Sequence, residues 1–347
     1  MPTLSRLTRR QLVVGASLAP LISLPVHAAP PPQRFSRVLL GTVVDISVAG
    51  TADARDVPQQ VEQAFAEMQR LERLMSRFDP ESELSRINQH AGGASVAISG
   101  ELMRVLQDAQ RRSAATGGAF DPVLGWLTVQ ADPGAQPLDD AFVHRVLPYA
   151  RSSALELDER RMRARLNTPL ARLDLGGAAK LPILAAGLRQ LHNAGVTGCL
   201  INGGGDVLAS ARNDGQAWRI GIRDAYQPDK VLAVLALNDG VVASSGDYER
   251  FVTLSGQRVH HIIDPTTGRP TQGLRGLTLV ADRVEQVNGL GPAAMVAGPA
   301  LAMTRLQHWG VTHALLMGAD ASVQVSPALR ARLTPPPGQT QIRGLNA

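Results

Sequence analysis

The sequence predicts an α+β fold, a mixture of helices with largely antiparallel sheets, and three observations predict it. Apolar residues recur at helical spacing in several separated segments. Between those segments lie short alternating or β-branched stretches bounded by Gly, Asp and Asn. The composition, 44% hydrophobic and 19% charged over 347 residues with no internal repeat, excludes a disordered, collagen-like or coiled-coil chain.

Taken in order, residues 37–48 alternate and read as a strand, and Val61, Phe65, Met68 and Leu71 fall on one face of a helix over 57–75. Leu102, Val105, Leu106 and Ala109 repeat that pattern until Gly117 and Gly118 stop it. Residues 154–157 and 162–166 flank Asp158-Glu159-Arg160-Arg161 as a hairpin. A strand at 172–175 runs into Gly176-Gly177 and a helix to His192, and 199–202 enters Gly203-Gly204-Gly205. Short strands follow at 218–222, 231–237, 241–244, 250–254, 259–263 and 277–280, before an Ala-rich helix over 292–306. The Pro-rich tail from Pro335 onward reads as a poorly ordered terminus.

At the other end, Thr8-Arg9-Arg10-Gln11-Leu12 precedes an apolar run to Leu24 and then Val26-His27-Ala28, the pattern of a twin-arginine export signal. Residues 1–28 are expected to be cut off, leaving 29–347 as one periplasmic domain. The apolar run is shorter than the roughly 20 residues that span a bilayer, so no permanent membrane span is expected. Loss of Arg6, Arg9 and Arg10 lowers the formal charge from +5 to +2, which disfavours a nucleic-acid binder. The single cysteine, Cys199, excludes an intrachain disulfide and a cysteine-based zinc site.

Two polar clusters stand out, Ser244-Ser245-Gly246-Asp247-Tyr248-Glu249-Arg250 and His260-His261-Ile262-Ile263-Asp264-Pro265-Thr266-Thr267-Gly268, joined by one hairpin. A histidine with a carboxylate three positions on suits proton transfer or a phosphate partner. The same aspartate also suits a turn in which it caps its own backbone. Strand alternation puts His260 and His261 on opposite faces. Asp174-Leu175-Gly176-Gly177-Ala178-Ala179-Lys180 lies where a strand gives way to a helix, a place whose free amides attract phosphate. Lys180 is one of only two lysines in the chain. The spacing is neither a Walker A loop nor a dinucleotide fingerprint. A Ser/His/Asp hydrolase built from Ser245, His261 and Asp264 has the residue types without the G-x-S-x-G elbow.

In order along the chain, Leu40-Gly41-Thr42, MSRFDPESELSRIN (75–88), GAFDP (118–122), DLGGAAK (174–180), INGGGD (201–206), SSGDYER (244–250) and HHIIDPTTGRP (260–270) resemble the ApbE-type FAD:protein FMN transferases. That resemblance implies a two-part, T-fold-like α+β domain with antiparallel sheets, flanking helices and a flavin cleft between the parts. It also implies FAD with Mg²⁺, and transfer of FMN to a threonine of an electron-transfer protein with release of AMP. By position, Phe78 meets the flavin nucleotide, with Ser82, Glu83 and Asn88 shaping that wall. Asp174, Gly176, Gly177, Ala178 and Lys180 line the diphosphate side, Ser245, Gly246 and Asp247 form another wall, and His261 with Asp264 stands nearest the reacting phosphate. Lys180 joins these two as a catalytic candidate through its charge on the phosphate. The implied metal ligands are the Ala178 carbonyl and the side chains at 288 and 292. Here those are Asn288, where the family has Asp, and Pro292, where it has Thr; Leu181, Pro182 and Ala185 also depart from the pattern. Glu285, one turn away, is the available replacement carboxylate. The departures leave a second expectation open: a flavin binder of this type with weak or lost transferase activity.

Overall fold

The first strand pair arises from a two-residue turn. Leu40 (φ 57°) and Gly41 (φ 69°) both occupy the left-handed region, as a tight hairpin turn requires. The stretch expected to be one strand is therefore two, β1 (Gln33–Leu39) and β2 (Thr42–Val48), paired antiparallel with Leu39 opposite Thr42. The Leu40 N–H donates to Glu72 at 2.6 Å, which fastens the turn to the helix Val57–Met75. The computed structural model describes residues 31–50, 56–254 and 257–345; the expected export signal lies outside them.

Six further strands complete the main sheet: β3 (Cys199–Gly203), β4 (Asp206–Ala209), β5 (Gly240–Gly246), β6 (Leu274–Ala281), β7 (His313–Gly318) and β8 (Val323–Val325). Their spatial order follows the chain from β1 to β8, and every neighbouring pair is antiparallel. The central strands are buried on both faces, which is why they read as near-continuous apolar runs. On β7, Ala314 and Leu316 join the large core under the helices, whereas Leu315 and Met317 join a second core.

That large core is closed by the helices Val57–Met75, Gly100–Ala115, Lys180–Asn193 and Leu290–His308. A Cβ at Gly187 would lie 2.7 Å from Met68 Sδ, so the absence of a side chain lets two of these helices pack closely. The second core is covered by a three-stranded sheet of Trp218–Arg223, Val231–Leu237 and Leu333–Thr334. A smaller cluster, including Leu124, Leu127, Val143 and Ile263, supports the loops that carry the histidines. Among the described residues no helix is long and apolar enough to cross a membrane.

Four local expectations change. The chain at 172–175 is not a ladder strand; it makes one bridge, Arg172 to Leu124. Its backbone is bonded by other partners: the Asn88 side chain accepts from Leu173 N–H at 2.7 Å and donates to Leu173 C=O at 3.0 Å. The hairpin Phe251–Leu254 with Gln257–His260 stands apart from the main sheet, and the chain leaves it at His261. The helix expected over 292–306 starts earlier, at Leu290, and is interrupted at Gly298 (φ 72°) just before Pro299. Finally, the C-terminal tail is docked: Arg343 pairs with the buried Asp224 at 2.8 Å, and Ile342 and Leu345 pack on the second core. Arg343→Ala leaves a buried carboxylate short of its cation, so the melting temperature should fall by several degrees, for a loss of about 1–3 kcal/mol. An unchanged melting temperature would mean that the Arg343–Asp224 pair contributes nothing to stability.

Candidate active site

A buried ion pair forms the wall of the cleft. The Asp174 side chain, 7% exposed, lies 3.0 Å from Arg77 Nε and accepts hydrogen bonds from Thr128 Oγ1 at 2.6 Å and Gly176 N–H at 2.7 Å. Burial acts to raise its pKa, but the charge of Arg77 and these hydrogen bonds outweigh it, and the carboxyl is held below its ordinary range. Arg77 also bonds Asp132, at 2.8 Å through Nη1. Its guanidinium carbon stands 4.2 Å from the centroid of the Phe78 ring, which is 64% exposed at the mouth of the cleft. A large apolar ring that stays in water over a fixed cation is well suited to receive another flat ring.

Two adjoining cavities of about 350 and 140 Å³ share Asp174, Gly176, Lys180, Gly204, Glu249, Arg250 and His261. Phe78 and Arg77 line the larger of them, and Ser245 and Gly246 the smaller. Lys180, at the start of its helix, pairs through Nζ with Asp206 at 2.9 Å. Asp206 in turn accepts from Ser244 N–H at 2.9 Å, so the lysine is anchored to β5. Gly176 and Gly177 are exposed, and a Cβ at Gly176 would crowd the Asp174 carboxylate (3.1 Å) and touch Arg250 Nη2 (3.5 Å).

The two histidines have different work. His260 is buried, its Nε2 donating to Thr271 C=O at 2.9 Å and its Nδ1 accepting from Ile262 N–H at 3.3 Å, so both ring nitrogens are spent on the backbone. His261 faces the cleft, and its Nδ1 lies 3.0 Å from Arg250 C=O. A carbonyl only accepts, so Nδ1 carries the proton and Nε2 keeps its lone pair. Burial, reinforced by the Arg250 charge, lowers the His261 pKa to about 4. The ring is therefore a neutral base at pH 7.

Several expected site residues are occupied elsewhere. Ser82 caps the helix Glu83–Gln89, accepting from Ser85 N–H at 2.9 Å, and Glu83 accepts from Ser99 N–H at 2.7 Å. Together with the Asn88 clamp on Leu173, these residues hold the wall without lining it. Asp247 pairs with Arg275 (3.2 Å) and Arg258 (3.4 Å), away from the cleft. Asp264 accepts from Thr266 N–H at 2.8 Å inside its own turn, and no bond joins it to His261. The Ser245, His261, Asp264 triad is thus not formed, because His261 is oriented by a main-chain carbonyl. Arg77, Thr128, Asp206 and Arg250 were missed as site residues; Arg77, Asp206 and Arg250 lay within MSRFDPESELSRIN, INGGGD and SSGDYER, which were the signal available.

The implied metal ligands bond to each other: Asn288 Nδ2 donates to Ala178 C=O at 2.9 Å. Pro292 lies in the first turn of its helix, where a missing N–H costs nothing, but its side chain offers no oxygen. Glu285 is exposed in a short turn. No group of three His, Cys, Asp or Glu side chains among the described residues could hold a metal. These residues do not fit Mg²⁺, a hard ion that prefers charged oxygen ligands. Beyond Asn288 and Phe120 opens a larger cavity of about 680 Å³, lined by Arg104 and Arg189 among others. It holds neither histidine nor Lys180, so the reactive groups belong to the two smaller cavities.

The fold and the cleft define an antiparallel α+β protein that presents fixed cations and a neutral imidazole to an anionic, ring-bearing ligand. The chain belongs to the ApbE family, whose model matches residues 40–316. It is 29% identical over 334 residues to an FAD:protein FMN transferase of Rhodobacter capsulatus, covering 94% of this chain and 63% of that relative. An FAD:protein FMN transferase of Treponema pallidum is 28% identical, with 87% of this chain and 89% of that one covered. The crystal structure of an ApbE protein from Thermotoga maritima superposes with a TM-score of 0.80 at 25% identity, covering 87% of this chain and 99% of that chain. The flavinyl transferase ApbE of Pseudomonas stutzeri, at 20% identity and a TM-score of 0.76 over 91% of this chain and 98% of that chain, agrees in fold. The family and the mixed, antiparallel fold expected from the motifs are therefore both shown.

Because the His261 pKa is lowered, the unfolded state takes up a proton first on acidification. Its contribution to stability is complete above pH 6.5 and is lost as the pH falls toward about 4. An NMR titration of the His261 ring should show a midpoint near 4 and none near 6.5. A midpoint at 6.5 would show that the ring is neither buried nor held as described.

Proposed function

We propose that the chain is an FAD:protein FMN transferase that moves FMN from FAD onto a threonine of an exported or membrane electron-transfer protein and releases AMP. The observation that carries this reading is the cleft that brings His261, its Nδ1 held on the Arg250 carbonyl, together with Lys180, Arg250 and the exposed ring of Phe78. Its family membership supports the same reaction. FAD is here a substrate. Phe78 receives a flat ring of the dinucleotide, and the chain from Gly176 to Lys180, with Arg250, meets the diphosphate.

The proton path follows from the tautomer. His261 Nε2 takes the threonine hydroxyl proton as the oxygen forms a bond to the FMN phosphorus. The bond from that phosphorus to the bridging oxygen breaks, and its electron pair leaves on AMP. Lys180 and Arg250 stabilise the charge on the phosphoryl oxygens and on the departing phosphate. No step is assigned to a metal, since the residues at 178, 288 and 292 do not make a site for one. A flavin binder that has lost the transfer step remains the second reading, favoured by that same departure. The leader at 1–28 supports the periplasm as the place of action.

Mixing the mature protein, FAD and a threonine-bearing acceptor should give covalently fluorescent acceptor and one AMP per FMN attached. His261→Ala should lower the rate by about 10²-fold or more, while His260→Ala acts chiefly on stability. Tight FAD binding with no AMP would decide for the flavin binder instead.

A further inference from the structure

The charge that a divalent cation would neutralise needs another source, and Arg250 is placed to supply it. Of the cations that reach the cleft, Lys180 is paired with Asp206 at 2.9 Å and Arg77 with Asp174 at 3.0 Å. Arg250 forms no ion pair among the described residues, although its charge helps to hold the Asp174 carboxyl ionised, and its Nε is buried with no hydrogen-bond partner. Its Nη2 flanks Gly176, the glycine whose missing side chain leaves the phosphate side of the cleft open. Arg250 lines both cavities, and its buried Nε has no acceptor inside the protein. The planar fork of arginine matches two oxygens of a phosphate.

The metal position shows the complementary change. A carboxylate at 288 and a carbonyl at 178 would repel each other and need a cation between them. An amide instead donates to that carbonyl at 2.9 Å and closes the gap without one. Turning the amide to offer its oxygen would forfeit the hydrogen bond and still bring no charge. Pro292, whose Cγ would stand 3.5 Å from a Cβ at Gly177, fills the remaining space with carbon.

We propose that this chain binds the diphosphate of FAD without a divalent metal, with the Arg250 guanidinium taking the place of the ion. The proposal rests on the transferase reading of the cleft and names how that cleft holds its substrate.

Flavin fluorescence titrations with FAD and with riboflavin, each in EDTA and in millimolar MgCl₂, test it. FAD affinity should agree within about twofold between the two buffers, whereas a metal site held against the diphosphate would tighten it tenfold or more. Arg250→Gln should weaken FAD by roughly tenfold or more and leave riboflavin, which has no phosphate, unchanged. Arg250→Lys, which keeps the charge and loses the fork, should recover part of the affinity and guards against a misfolded glutamine variant. Asn288→Asp should make FAD binding respond to Mg²⁺. Magnesium dependence in the unmodified protein, or equal effects of Arg250→Gln on FAD and riboflavin, would overturn the proposal while leaving the transferase reading intact. Failure of the folded protein to bind FAD in either buffer would overturn the transferase reading and this proposal with it.

Discussion

The cleft depends on one buried carboxylate. Asp174 is ionised inside the protein because Arg77, Thr128 Oγ1 and Gly176 N–H all point at it. Removing Arg77 would leave a largely buried carboxylate without its ion-pair partner, and removing either hydrogen bond would weaken its compensation. Through those contacts Asp174 ties the loop after the first helix to the short helix Gly125–Thr128 and to the turn that starts the Lys180 helix. The positions of Phe78, stacked on Arg77, and of Gly176, between Asp174 and Arg250, follow from it. A second carboxylate, Asp206, does the same for Lys180 and binds it to β5. Both acids orient cations, which keeps those cations at fixed distances from any phosphate that enters.

Periodicity made much of the fold legible. Val61, Phe65, Met68 and Leu71 are buried on the helix face that their spacing defined, and five strands of the main sheet overlap the stretches read as strands, whereas Asp206–Ala209, His313–Gly318 and Val323–Val325 were not read from the sequence. What escaped was set by tertiary partners. Leu40 adopts a conformation that its side chain disfavours, because a two-residue hairpin needs it. Residues 172–175 look like a strand, but their hydrogen bonds go to the Asn88 side chain and to a loop. The tail has the composition of a loose end, and it is docked by Arg343 seated on Asp224 with Ile342 and Leu345 packed on the second core.

The same distinction runs through the site. Residue type pointed to His261 and Lys180, and the motif resemblance to Asp174; all three line the cleft. It did not separate acids that face a ligand from acids that fasten backbone or arginine: Glu83, Asp247 and Asp264 all proved to be the latter. Nor could spacing show that Asn288 turns its amide toward Ala178, because that contact joins residues 110 positions apart. In this cleft, hydrogen-bond direction decides between a metal ligand and its substitute.

The most direct test of the account is the sign of the change in FAD affinity on Asp174→Asn. Simple charge counting says that deleting an anion beside a diphosphate should tighten binding. If Asp174 instead serves to hold Arg77 and the Gly176 turn in place, the neutral side chain should weaken FAD by tenfold or more, with the rest of the fold intact by circular dichroism. Affinity that rises or stays the same in the folded variant would contradict the view that this carboxylate organises the site.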